Sequence, residues 1–304
     1  MAASATETQM HYLITGGSGF IGSALCRSLV ADGHRVTVLT RDIARTRHRV
    51  PDAVFVIDRL DFAQDVDAVV NLAGENLAGG RWTAARKHEF VASRIAMTKR
   101  LLAWIDRHDR APSVLVSGSA VGWYGPRGDE ELDEDADIGS DFSAHLCRDW
   151  EAEAAKAETR GLRVCFVRTG IVLDGDGGAL KKMLLPFRLG LGGPMGSGRQ
   201  WMSWVARADL VALIRWLVDN DSARGAYNGT APNPVTNAQF AKTLGAALHR
   251  PAVMPAPAFA LRLLLGEMAD LLLTGQRVVP KHATAEGFAF TYRELPATLE
   301  AILG

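Results

Sequence analysis

Glycines 16, 17, 19 and 22 stand directly behind the apolar run Tyr12-Leu13-Ile14, in the stretch Thr15-Gly16-Gly17-Ser18-Gly19-Phe20-Ile21-Gly22. Glycine is needed where a strand turns sharply into a helix, where backbone must approach a pyrophosphate, and where the helix packs closely on a sheet. The helix expected from about Gly19 to Ala31 aims the unpaired amides of its first turn, Phe20 and Ile21 among them, and the positive end of its dipole at that turn. The chemistry implied is anion binding. Two spacings fit the same residues: Gly17, Gly19 and Gly22 read G-x-G-x-x-G, and Gly16, Gly19 and Gly22 read G-x-x-G-x-x-G.

The second group able to do chemistry is Thr40-Arg41-Asp42, after the strand Val36-Thr37-Val38-Leu39. A carboxylate at that strand end accepts hydrogen bonds from an adenosine ribose, whereas a small hydroxyl residue followed by arginine suits a 2′-phosphate. Thr40 and Arg41 favour NADP, with Arg45 as a weaker helper. Asp42 is the opposing feature, since a shift of register would bring it to the ribose and favour NAD.

The elements that must position these groups follow from apolar runs and their punctuation. Val54-Phe55-Val56-Ile57 reads as a third strand, Ala68 to Gly74 as a fourth, Ser113-Val114-Leu115-Val116-Ser117 as a fifth and Arg163 to Arg168 as a sixth, with helices from about Thr83 to His108 and Ser143 to Arg160. Their alternation predicts an α/β protein: a Rossmann-like, doubly wound parallel sheet with a smaller C-terminal substrate-binding portion. The expected layout is a disordered tail over 1–10, a dinucleotide-binding portion over 11–172 and a C-terminal portion over 173–304, with 205–229 returning to the sheet. Leu189 to Val205 reads as loop and short strand, and one of Trp201 and Trp204 is expected to be buried packing. The acidic run Asp129 to Asp137 reads as solvated surface or the border of a substrate entrance. Asn237 is expected to cap a helix carrying Phe240 and Leu244. Pro255 to Leu273, interrupted by Arg262, Glu267 and Asp270, reads as an amphipathic helical pair and not a membrane span.

Lys+Arg and Asp+Glu are both 34 in 304 residues, so the charge balance gives no reason to expect nucleic acid. No membrane partner is expected either. The three cysteines, Cys26, Cys147 and Cys165, lack metal spacing and read as reduced, buried thiols, so no metal is expected. A cytoplasmic protein is the expectation. A homodimer is compatible with the sequence, although no motif specifies it.

The combination of TGGSGFIG, NLAGEN, SGSAVGWYG, RDWEAEA, VRTGIVL, LGLGGPMGSGRQWMSW and YNGTAP resembles the atypical short-chain dehydrogenases/reductases of the NAD-dependent epimerase family, in the YfcH-like group. The resemblance covers almost all of residues 11 to 304. It implies an extended short-chain fold with NADP in the cleft. It places Thr40 and Arg41 at the adenosine phosphate, Leu72 and Ala73 against the cofactor, Glu89 and Arg94 as cofactor contacts and Val172 near the nicotinamide, and it puts Ser119 where the superfamily's active-site hydroxyl sits.

One part of the pattern does not carry over. The superfamily's Tyr-x-x-x-Lys is absent, because Ser143 stands at the tyrosine position and Cys147 at the lysine position, and no tyrosine is followed four residues later by lysine. Tyr124 is then the candidate substitute acid, with Ser119 polarising the substrate oxygen. The resulting expectation is an NADP(H)-binding oxidoreductase or epimerase-like enzyme acting on an unidentified small carbonyl or hydroxyl substrate. The alternative is a catalytically silent NADPH-binding sensor or interaction protein.

Overall fold

The computed structural model describes residues 9–108 and 110–304, so most of the anticipated tail lies outside the described residues. In chain order the strands are β1 (His11–Thr15), β2 (Arg35–Leu39), β3 (Phe55–Ile57), β4 (Ala68–Asn71), β5 (Val114–Ala120), β6 (Glu131–Leu132), β7 (Arg163–Thr169), β8 (Ile171–Leu173), β9 (Trp201–Met202), β10 (Trp204–Ala206), β11 (Gly225–Gly229), β12 (Val235–Thr236) and β13 (Arg277–Val278). The helices are α1 (Phe20–Ala31), α2 (Ile43–Arg47), α3 (Ala84–Ile105), α4 (Phe142–Ala155), α5 (Gly178–Arg188), α6 (Arg207–Asp219), α7 (Asn237–Ala247), α8 (Ala258–Leu265), α9 (Asp270–Leu273), α10 (Lys281–Ala285) and α11 (Leu295–Leu303).

Seven strands form one sheet in the order β11-β7-β5-β4-β1-β2-β3, with every pairing parallel. A parallel sheet is covered on both faces, and the alternation of side chains along its central strands assigns each residue to one cover. Tyr12, Ile14 and Val70 face a core with Leu25 and Leu29 of α1 and Ile214 and Leu217 of α6. Leu13, Val69 and Leu115 face the opposite core with Leu101 and Trp104 of α3 and Ala154 of α4. The chain moves outward from β1 to β2 and β3, then crosses back to β4 on the other side. That reversal opens a crevice beyond the carboxyl ends of β1 and β4, which is where ligands bind in sheets of this kind.

A separate core joins α5, α7 and α11 through Leu180, Leu184, Trp204, Phe240, Leu244 and Leu299. Among the described residues no helix is long and apolar enough to cross a membrane.

Two local expectations, for Asn237 and for the acidic run, need correction, and two regions gain detail. Helix α5 occupies part of a region without an assigned helix, because Gly177 and Gly178 at its start and Pro186 within it mask the pattern. Asn237 is the first helical residue and not the cap; Thr236 caps α7 in a capping box with Gln239. The segment Pro255 to Leu273 holds the expected pair of helices, both short, and none of the residues of α8 is buried. The acidic run is not simply solvated: β6 pairs with β13, and Glu134 is only 6% exposed, its carboxylate accepting from the amides of Asn228, Lys281 and His282.

Candidate functional site

The glycine turn is shaped by what lies against it. Gly16 has φ +71°, and a Cβ there would sit 2.6 Å from the Leu72 carbonyl oxygen; a Cβ on Gly22 would sit 2.3 Å from the Gly16 carbonyl oxygen. These glycines let β1 and α1 close onto the end of β4, bringing Leu72 and Ala73 beside the turn. Three buried hydroxyl and amide side chains, unremarked among the candidate site residues, lock that approach. Thr15 Oγ1 donates to Asn71 Oδ1 at 2.6 Å, Asn71 Nδ2 donates to Thr98 Oγ1 at 2.9 Å, and the Ala73 amide donates to Thr15 Oγ1 at 3.2 Å. A polar residue inside an otherwise apolar parallel strand was the available signal for Asn71. Gly19 is the N-cap of α1 and supplies no side-chain cap, so the first-turn amides of Phe20, Ile21 and Gly22 have no partner within the helix. This cradle fits a dinucleotide pyrophosphate.

The end of β2 settles what Asp42 does. Its side chain caps α2, accepting from the Arg45 amide at 2.9 Å, and Thr40 Oγ1 accepts from the Asp42 amide at 3.1 Å and from Thr46 Oγ1 at 2.8 Å. Among the described residues the side chains of Arg41 and Arg45, both exposed, have no hydrogen bond or ion pair. Arg49 Nη1 reaches the Ser18 carbonyl at 3.5 Å. One oxygen of the Asp42 carboxylate is thus engaged by the helix, while the two neighbouring guanidinium groups remain exposed.

Glu89 and Arg94 are not brought together. Glu89 lies on the outer side of α3, paired with Arg86 at 2.5 Å. Arg94 is turned inward, donating to the carbonyls of Phe90 and Glu75 at 3.1 Å each and lying over the Trp150 ring. It props the loop after β4, where a Cβ on Gly74 would strike its guanidinium. Val172 sits in β8 opposite Val205, and its carbonyl adjoins Gly178, whose other neighbour is the Phe20 ring. The segment expected near the nicotinamide therefore borders the start of α1. Of Trp201 and Trp204 it is Trp204 that is fully buried, while Trp201 Nε1 donates to Asp129 at 2.7 Å.

Ser119 and Tyr124 belong to one buried network that sequence separation concealed. Arg168 in β7 grips Glu151 in α4 with a two-pronged fork, Nε to Oε1 and Nη2 to Oε2, each at 3.0 Å. Ser119 Oγ donates to Glu151 Oε1 at 2.6 Å. Tyr124 donates to Asn228 Oδ1 at 2.7 Å and accepts from Arg168 Nη1 at 3.1 Å, and the Arg168 guanidinium stacks on Trp123 at 3.9 Å. Tyr124 is 0% exposed, and burial pushes its phenol up to about 12. A phenol so enclosed, bonded on both sides, has no position from which to protonate a molecule in the cleft. This placement argues against Tyr124 as the substitute acid.

The residues at the missing Tyr-Lys positions provide no replacement pair. Cys147 is buried, its Sγ 3.6 Å from the Ala120 carbonyl, and burial pushes the thiol up to about 11. Burial likewise raises Cys165 to about 11 and Cys26 to about 12. An aromatic disulfide reagent is expected to leave all three thiols unmodified in the folded protein and to titrate three after denaturation. Rapid native labelling of Cys147 would show it to be an accessible nucleophile. Among the described residues no cluster of histidine, cysteine and carboxylate side chains has metal-binding geometry.

Comparison with known proteins agrees with the fold. The model of the NAD dependent epimerase/dehydratase family covers residues 12–228, and that of a domain of unknown function, DUF1731, covers residues 256–302. The chain is 40% identical to the epimerase family protein SDR39U1 homolog, chloroplastic, of Arabidopsis thaliana, over 100% of this chain and 89% of that one. It is 38% identical to the epimerase family protein YfhF of Bacillus subtilis, over 97% and 98% of the two chains. The crystal structure of human epimerase family protein SDR39U1 (isoform2) with NADPH superposes with a TM-score of 0.88 at 38% identity, covering 96% of this chain and 99% of that one.

Proposed function

The chain belongs to the NAD dependent epimerase/dehydratase family, and on that premise we propose that it is an NADP(H)-dependent oxidoreductase or epimerase-like enzyme acting on a small carbonyl or hydroxyl compound. The observation that carries the cofactor half is the pairing of an uncapped glycine cradle with Arg41 and Arg45 left free, while Asp42 is spent on α2. Similarity to the human protein crystallised with NADPH supports the same choice. The bound dinucleotide would supply hydride transfer. Phe20, Ile21 and Gly22 would hold its pyrophosphate, and Thr40, Arg41 and Arg45 its adenosine phosphate.

Ser119 is the network member at the carboxyl end of β5, and its geometry bears on the substrate. Its proton is committed to Glu151, so its oxygen is presented as an acceptor. That suits a substrate hydroxyl better than a carbonyl, which would need a donor. Arg168 holds Glu151 from behind and so fixes the direction in which the serine points.

Replacing Arg41 and Arg45 together with alanine is expected to weaken NADPH binding roughly 10–100-fold, the worth of charge-assisted hydrogen bonds, and to leave NADH binding unchanged. Fluorescence titration with both coenzymes measures this. Equal losses for the two would remove the phosphate assignment. Catalysis is tested by screening alcohols and carbonyls for a change in nicotinamide absorbance. The enclosure of Tyr124 and Cys147 favours a second reading, an NADPH-binding sensor without turnover. Uniform failure of the screen at saturating cofactor selects it.

A further inference from the structure

From Gly177 to Ala206, and again from Asn237 to Gly266, the chain contains no aspartate or glutamate. Lys181, Lys182, Arg188 and Arg199 lie in the first stretch and Lys242, Arg250 and Arg262 in the second. In a protein of zero formal net charge, this is a strong local excess of one sign.

The same two stretches hold most of the large apolar side chains that protrude from the molecule. Phe259 and Leu263 are each 75% exposed, and Leu185, Leu189, Leu191 and Val253 are exposed as well. The stretches meet in space. The Met254 amide donates to the Gly192 carbonyl at 3.1 Å, the Ala256 amide donates to the Pro194 carbonyl at 2.9 Å, and Arg250 Nε donates to the Arg188 carbonyl at 3.1 Å. On α5, Lys181, Leu185 and Arg188 fall on one face by helical spacing, as do Phe259, Arg262 and Leu263 on α8. The side chains of Lys181 and Arg188 make no hydrogen bond or ion pair among the described residues, and Arg262 meets only Asp270, at 3.6 Å.

We infer that this face docks on an anionic lipid surface, with α8 lying in the interface and its apolar side chains entering the headgroup boundary. A short helix that exposes its apolar residues, in a segment joined to the stretch that carries the unpaired Lys181 and Arg188, has the composition of an interfacial anchor. A second copy of the chain fits less well, since a two-fold contact sets the same cations against one another, and the acids at the end of α8, Glu267 and Asp270, already face Lys87 and Arg262. That no helix among the described residues is long and apolar enough to cross a membrane is no obstacle, because an interfacial helix lies on the bilayer and does not cross it. This departs from the sequence-based expectation of no membrane partner, and it does not depend on the reaction proposed above.

The test is flotation of the full-length protein with vesicles of phosphatidylcholine alone and of phosphatidylcholine mixed with phosphatidylglycerol, at low and high salt. Binding to the mixed vesicles only, weakened by salt, is the expected result. Lys181→Gln with Arg188→Gln should lower partitioning roughly 30-fold, and Phe259→Ser with Leu263→Ser should abolish it. Both variants should keep NADPH affinity and melting temperature, which shows that they are folded. Failure of the wild type to float with anionic vesicles, or equal binding to neutral ones, overturns the inference. So does concentration-dependent dimerisation lost in Phe259→Ser/Leu263→Ser, which gives the face to a second copy. Stronger retention by soluble polyglutamate than by anionic vesicles gives it to an acidic protein and also overturns the inference.

Discussion

Glu151→Ala should lower the unfolding free energy by about 3–5 kcal/mol, the cost of leaving one member of a buried ion pair without the other. Arg168 and Glu151 side chains are 5% and 7% exposed, so water does not replace the missing carboxylate. The loss also releases Ser119 Oγ and loosens the guanidinium that stacks on Trp123 and bonds Tyr124. Denaturant unfolding followed by tryptophan fluorescence measures the change. The double replacement Glu151→Leu with Arg168→Met should cost less than the single one, because no charge is then stranded. A single variant as stable as wild type would show that the pair contributes no net stability and that solvent reaches it.

Gly16→Ala should strike the cofactor cradle with comparable force. The added methyl must occupy a backbone conformation that costs a non-glycine residue about 1–2 kcal/mol, and it meets the Leu72 carbonyl at 2.6 Å. Since that contact is backbone on both sides, relief requires the turn to move away from β4, carrying the first-turn amides of α1 off their common aim. NADPH affinity should fall roughly tenfold or more, with melting temperature also lowered. Gly33→Ala is the control: Gly33 also has positive φ, 82°, but has nothing within 4 Å, so it bears the conformational cost without disturbing the cradle. Loss of affinity in both variants alike would attribute the effect to global destabilisation.

The sheet and the cradle were legible in the sequence because their determinants are local. Tyr12-Leu13-Ile14 followed by spaced glycines specifies strand, turn and helix within a dozen residues, and the structure turns the same residues against Leu72 and Ala73. The role of Asp42 was not legible. Its carboxylate caps α2, a helix of five residues, Ile43–Arg47, which is too short for apolar periodicity to announce it. The Arg168–Glu151 fork is hidden for another reason: its residues lie in different elements, and a glutamate beside tryptophan in a polar helix reads as surface until α4 is laid on β5 and β7. Glu134 shows the same limit, since an acid within an acidic run announces nothing about burial beneath α10.

The clasp around Glu134 sets an order for synthesis. The edge strand β11 has its Asn228 amide held by Glu134 and its Asn228 side chain donating to the Val279 carbonyl, while Lys281 and His282 fill the other carboxylate oxygen. A nascent chain therefore emerges from the ribosome with its nucleotide half almost entirely made but one margin of the sheet unfastened, and a buried acid waits for the last few dozen residues to satisfy it. Translation arrested before those residues appear would yield a half-closed domain vulnerable to proteases, even though the glycine turn and α1 had already been added.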